Sequence, residues 1–195
     1  MMGKRILVSS LIGAIVAFAW MWLSWMVMPW HDNVLNKVTD EAAVAQVLLS
    51  NAPKAGIYVV PSFIPDRSKS SEDIKKDMQQ VHEKIEKGPF AFVAIQPQGV
   101  KGTMFLPMVL AFSLYFIVAL IISMILSKIG QSFGCRATSA VLISLLLGLF
   151  SNAPNYIWWH FASDYTVLML IDTVVPWTIA GLLMARILGN KSHSM

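Results

Sequence analysis

Four apolar stretches, at residues 6–28, 104–127, 137–159 and 166–188, restrict this chain to one class of architecture. The first three contain no Asp, Glu, Lys, Arg or His. The fourth holds Asp172 in its interior and Arg186 near its end. As a helix at about 1.5 Å per residue, each stretch is long enough to cross a hydrocarbon core of about 30 Å. Charged residues make up 13% of the chain, against roughly 25% in soluble proteins. The composition therefore excludes an ordinary soluble domain. The expected fold is a mainly α membrane protein: a four-transmembrane-helix bundle with a small extracytoplasmic α+β cap between helices one and two. Residues 1–29 hold the cytoplasmic start and helix one, residues 30–103 the cap, and residues 104–195 helices two to four with a cytoplasmic C-terminus.

The orientation rests on charge. Lys4, Arg5, Lys128, Arg136, Arg186 and Lys191 lie in the N-terminal tail, the loop between spans two and three, and the C-terminal end, regions without Asp or Glu. Residues 30–103 balance nine basic residues with nine acidic ones. Short basic flanks stay cytoplasmic, so both termini are expected inside a bacterial-type inner membrane. The net charge of +4 is thereby explained by topology, which leaves no basic patch for nucleic acid. The first apolar run is longer than a secretory h-region and lacks a small-residue cleavage pattern, so it reads as an uncleaved anchor. The single Cys135 falls on the cytoplasmic side. It leaves the cap without a disulfide and excludes chemistry that needs cysteine pairs.

The cap reads as helix, strand, helix, strand. Thr39, Asp40 and Glu41 open a helix that ends near Asn51 and Pro53, with Ala45, Leu48 and Leu49 as its apolar face. Residues 56–61 and 90–95 are β-branched or aromatic and bounded by Gly and Pro, as strands are. Between them Ser70 or Ser71 starts a charged helix ending at Gly88, with Ile74, Met78, Val81 and Ile85 as a narrow apolar stripe. A two-stranded sheet is marginal alone, so the cap is expected to lean on the bundle. The tetrapeptide Ser50, Asn51, Ala52, Pro53 recurs at residues 151–154, without surrounding similarity. Pro154 is expected to kink span three.

Small residues Ser9, Gly13 and Ala17 repeat every fourth position on span one, a helix-packing stripe that permits close approach of another helix. Six of the seven tryptophans, Trp20, Trp22, Trp25, Trp30, Trp158 and Trp159, sit at one level and read as an interfacial belt.

Asp172 is the strongest chemical signal, because a carboxylate inside a span is costly unless it is paired or functional. Pro176, four residues on, removes the hydrogen bond to the Asp172 carbonyl. The short turn between spans three and four makes them antiparallel neighbours, which brings Asn152 and Asn155 level with Asp172, with Thr173 beside it. This intramembrane polar site, in the outer third of the bilayer, is either an Asp–Asn clamp or a proton, cation or small-ligand site. His31 and His160 fall at the interface, His82 in the cap and His193 in the tail. None has metal-ligand spacing or a mid-span position, so no metal, haem or other cofactor is expected. Phosphate loops, nucleophile elbows and zinc-protease motifs are absent, and no catalytic residue stands out.

Three functions fit. The favoured one is a non-enzymatic accessory or scaffold subunit that packs in the lipid bilayer with a membrane-protein partner or a second copy, through span one and the cap. The second is a small permease or ion-coupled transport subunit using Asp172. The third is a lipid- or quinone-linked enzyme at the outer interface.

Overall fold

A computed structural model describes residues 2–129 and 132–189. Its elements run α1 (Met2–Met26), α2 (Trp30–Val34), α3 (Glu41–Asn51), β1 (Gly56–Val60), α4 (Ser71–Lys87), β2 (Ala91–Ile95), α5 (Phe105–Lys128), α6 (Phe133–Trp159) and α7 (Ser163–Leu188). Four of them, α1, α5, α6 and α7, are long and apolar enough to span a membrane. By length and composition this is a multi-pass membrane protein. The chain divides into two compact units, residues 37–102 and the remainder.

In the helical unit α1 and α7 form the central pair. Helix α5 packs on α1 and α6 packs on α7, while α5 and α6 meet over a smaller area. Missing side chains explain the close approaches. A Cβ on Gly148 would come within 2.5 Å of Val174, and one on Gly181 within 2.6 Å of the Ala140 Cβ. These two positions let α6 and α7 touch nearly backbone to backbone, as small residues do in membrane helices. The Ser9, Gly13, Ala17 stripe is occupied by helices of this same chain. Ser9 and Ser123 hydrogen-bond across α1 and α5, and a Cβ on Gly13 would meet Met184 and Ala119. Leu126, Met184, Leu188 and Trp177 complete the core.

Helix α6 runs through Pro154 as one helix, so the proline neither ends it nor divides it. In the turn before it, Ser151 Oγ donates to Leu147 O at 2.7 Å and Asn152 Nδ2 to Gly148 O at 2.9 Å, whereas the carbonyl that the proline deprives of its helical partner is that of Phe150. Arg136 is fully buried near the other end of α6. Its Nε donates to Leu126 O at 3.0 Å, in the last turn of α5, and its Nη1 donates to Gly189 O, just past α7. Arg5 Nη1 donates to Leu188 O at 3.2 Å. Two arginines thus serve the carbonyls that helix C-termini leave without partners.

The second unit follows the expected order. Strands β1 and β2 pair antiparallel, with Gly56 opposite Ile95 and Val60 opposite Ala91. Asp40, one residue beyond the expected Thr39, caps α3 by accepting from the Ala43 N–H at 2.9 Å. Ser70 caps α4, and Gly88 closes it at φ 69°, a left-handed value that suits glycine. The α4 stripe of Ile74, Met78, Val81 and Ile85 is half-buried, whereas on the expected apolar face of α3 Leu48 is half-buried but Ala45 and Leu49 are exposed, Leu49 by 54%. Lys69 Nζ donates to Asp77 Oδ2 at 2.7 Å, and this contact raises the lysine above its ordinary titration range.

Candidate functional site

The site begins where α1 ends. Pro29 prevents continuation of the helix and holds Met28 out of helical conformation. The Met28 N–H bonds Leu23 O instead of Ser24 O. The chain then folds back, and Trp30 Nε1 donates to the vacated Ser24 carbonyl at 3.2 Å and to Ser24 Oγ at 3.0 Å. This return places His31, in the first turn of α2, beside Ser24. His31 is 3% exposed, and its ring stacks on Trp25 with centroids 3.8 Å apart and planes 14° from parallel.

Helix α7 brings Asp172 to the same point. Trp20 Nε1 donates to Asp172 Oδ1 at 3.0 Å. Ser24 Oγ lies 2.7 and 2.8 Å from the two carboxylate oxygens. His31 Nε2 lies 3.0 Å from Asp172 Oδ2 and 2.9 Å from Ser24 Oγ. Two atoms that each bear a lone pair would repel at 3.0 Å, so a hydrogen lies between Nε2 and Oδ2. His31 Nδ1, on the far side of the ring, is buried without a hydrogen-bond partner among the described residues. It is the atom at which this pair can gain or lose a second proton.

Ser, His and Asp meet here, but not as a nucleophilic relay. In such a relay the carboxylate orients one imidazole nitrogen while the other takes the serine proton. Here Ser24 and Asp172 share Nε2, and Ser24 is 1% exposed. The trio is a buried imidazole–carboxylate pair with a hydroxyl bridge.

A cavity of about 160 Å³ adjoins it, lined by Ala17, Trp20, Met21, Trp25, Tyr115, Asn152, Met169, Asp172, Thr173 and Pro176. Four of the five expected polar-site residues therefore share one space: Asp172, Asn152, Thr173 and Pro176. Asn155 does not line it, and donates instead to Ser151 O at 3.4 Å within its own helix. Asn152 Nδ2 is 2.9 Å from Gly148 O and Ser151 Oγ and 3.4 Å from Thr173 Oγ1, while Thr173 Oγ1 donates to Met169 O at 2.9 Å. Its carbonyl partner fixes which end of the Asn152 amide is nitrogen.

Spacing along spans three and four pointed to asparagines as the partners of Asp172. The side chains that bond it come from α1 and α2, so span one is a site helix and not a plain anchor. His31, read as an interfacial belt residue, is buried and ion-paired in geometry, and Trp20 and Trp30 donate hydrogen bonds inside the fold. One pattern could have revealed them. The Ser9, Gly13, Ala17 stripe, continued by three and then four residues, arrives at Trp20 and Ser24 on the same helix face.

No group of three or more His, Cys, Asp or Glu side chains capable of holding a metal occurs among the described residues. No family model, curated protein or solved structure matches the chain.

Proposed function

We propose that this chain is a small proton-responsive subunit of a membrane assembly. It sits in a bacterial-type inner membrane with both termini cytoplasmic and residues 30–103 outside, beside a membrane-protein partner or a second copy. The observation that carries the reading is His31 Nε2 at 3.0 Å from Asp172 Oδ2 with Nδ1 buried and unpartnered. With Nδ1 bare the site carries the single negative charge of Asp172. With Nδ1 protonated it is neutral overall. A site that alternates between these states inside a low-dielectric bundle changes its electrostatics by a full charge, which is what coupling to protons or cations requires.

Trp25 makes the change measurable, because an imidazolium stacked on indole quenches its fluorescence. Tryptophan emission of the purified protein in dodecyl maltoside is expected to show a one-proton transition as the pH is varied. His31→Gln is expected to abolish it, and Asp172→Asn to displace it. Identical profiles for wild type and His31→Gln would overturn the reading.

The same atoms support a second reading, the accessory subunit in which Asp172 is a clamp. The observation behind it is that Trp20, Ser24 and His31 all satisfy the carboxylate and tie α1 and α2 to α7. A clamp requires no proton transition. It also predicts that Asp172→Ala unfolds the protein at lower denaturant than Asp172→Asn, since the amide keeps part of the bonding.

A further inference from the structure

Half of the residues lining the cavity beside Asp172 are aromatic or thioether: Trp20, Trp25 and Tyr115, with Met21 and Met169. Its polar groups are the Asp172 carboxylate, the Asn152 amide, the Thr173 and Tyr115 hydroxyls and the indole N–H groups of Trp20 and Trp25, of which that of Trp20 is spent on Asp172. The amide nitrogen of Asn152 is spent on Gly148 and Ser151, so what Asn152 can offer the space is its carbonyl oxygen. The Thr173 hydrogen goes to Met169 O. Acceptors, aromatic rings and the Tyr115 hydroxyl therefore line a space whose one formal charge is negative.

That combination selects a class of ligand. A dehydrated divalent cation needs six or more oxygen ligands, and four oxygen-bearing side chains, one of them already holding three donors, do not supply them. An organic ammonium ion asks for less: a carboxylate, an acceptor or two, and aromatic surface for cation–π contact. Size agrees. A volume of about 160 Å³ matches the cavity of about 150 Å³ that accommodates a single benzene ring in an engineered protein core.

We propose that this cavity binds a small organic ammonium ion, which supplies the positive charge facing Asp172 in place of a proton on His31 Nδ1. The inference rests on the proton-responsive reading of the same pair and adds its ligand. Ion and proton neutralise one carboxylate, so each weakens the other's binding, and by linkage the effect is reciprocal. Protonation of His31 expels the ion, and arrival of the ion releases the proton. The ammonium group has two possible sources. It is either a free ion or the headgroup of an amine-bearing lipid. An apolar groove along Trp22, Met26, Met104 and Met108 shares Met21 and Trp25 with the cavity and is the surface on which the tail of such a lipid would lie.

The test is titration of the full chain in dodecyl maltoside with tetramethylammonium and ethylammonium chloride, followed by tryptophan emission, with tert-butanol as the neutral control. Saturable binding of at least one cation and none of tert-butanol is expected. Apparent affinity should fall about tenfold for each pH unit below the His31 transition. His31→Gln should bind with affinity independent of pH, and Asp172→Asn should not bind. Should Asp172→Asn fail to fold, Tyr115→Leu, on the α5 wall and outside the imidazole–carboxylate pair, is expected to weaken binding at least tenfold while keeping the pH transition. Added phosphatidylethanolamine that competes with the free ion identifies a lipid headgroup, and lack of competition identifies a free ion. A wild-type protein that keeps its pH transition but binds neither cation overturns this proposal and leaves the proton-responsive reading standing. Equal binding by Asp172→Asn, or affinity independent of pH in the wild type, also overturns it.

Discussion

Arg136 has the environment that its side chain ordinarily avoids. It is fully buried, and its guanidinium is held by carbonyl oxygens at the ends of α5 and α7. The negative ends of two helix dipoles stand in for a carboxylate. Arg136→Leu is expected to destabilise the protein by about 3 kcal/mol, on the scale of two hydrogen bonds to a charged donor, read as a lower midpoint in mixed-micelle denaturation. Arg136→Lys should recover part of the loss, because an ammonium cannot span both carbonyls as the planar fork does. Unchanged stability in Arg136→Leu would show that these contacts contribute nothing. At this scale the sequence was half legible. Asp172 stands out because a span rarely contains a carboxylate, and Pro176 and Asn152 follow from counting along neighbouring helices. Ser24 and His31 do not stand out, since serine and interfacial histidine are common and their pairing with Asp172 spans more than 140 residues.

Among the elements, the α6–α7 contact is the most demanding. Gly181→Leu is expected to push the helices apart and cost about 1–3 kcal/mol by overpacking, whereas Gly134→Leu, with nothing within 4 Å of its Cβ position, should be near neutral. Equal thermal midpoints for the two variants would contradict the packing described. The elements themselves were well foreshadowed. Apolar length marks the long helices, and Asp40, Ser70 and Gly88 mark ends through local bonding that needs no tertiary context. Helix α2 was not foreseen, because five residues carry no periodicity. The α3 face holds at Leu48 but not at Ala45 or Leu49: the three have helical spacing, but spacing does not supply something to pack against.

At the scale of the whole molecule the two units differ in how they hold together. The helical unit has a continuous core, whereas Ala52 and Ile95 are the buried hydrophobics among the described residues of the other. The proposed orientation can be checked with the exposed native Cys135. An impermeant maleimide should label it only after the cells are permeabilised. Ser68→Cys on a Cys135→Ser background should be labelled in intact cells. The reverse pattern would invert the topology and place residues 30–103 in the cytoplasm.

Order of synthesis gives the Asp172 site a further property. Ser24 leaves the ribosome 148 residues before its acceptor. Throughout that interval the donors of Trp20, Ser24 and His31 have no carboxylate to serve, and polar groups left so in a bilayer are costly. The site is therefore a record of completion. A chain interrupted before α7 would hold Trp20, Ser24 and His31 without that acceptor.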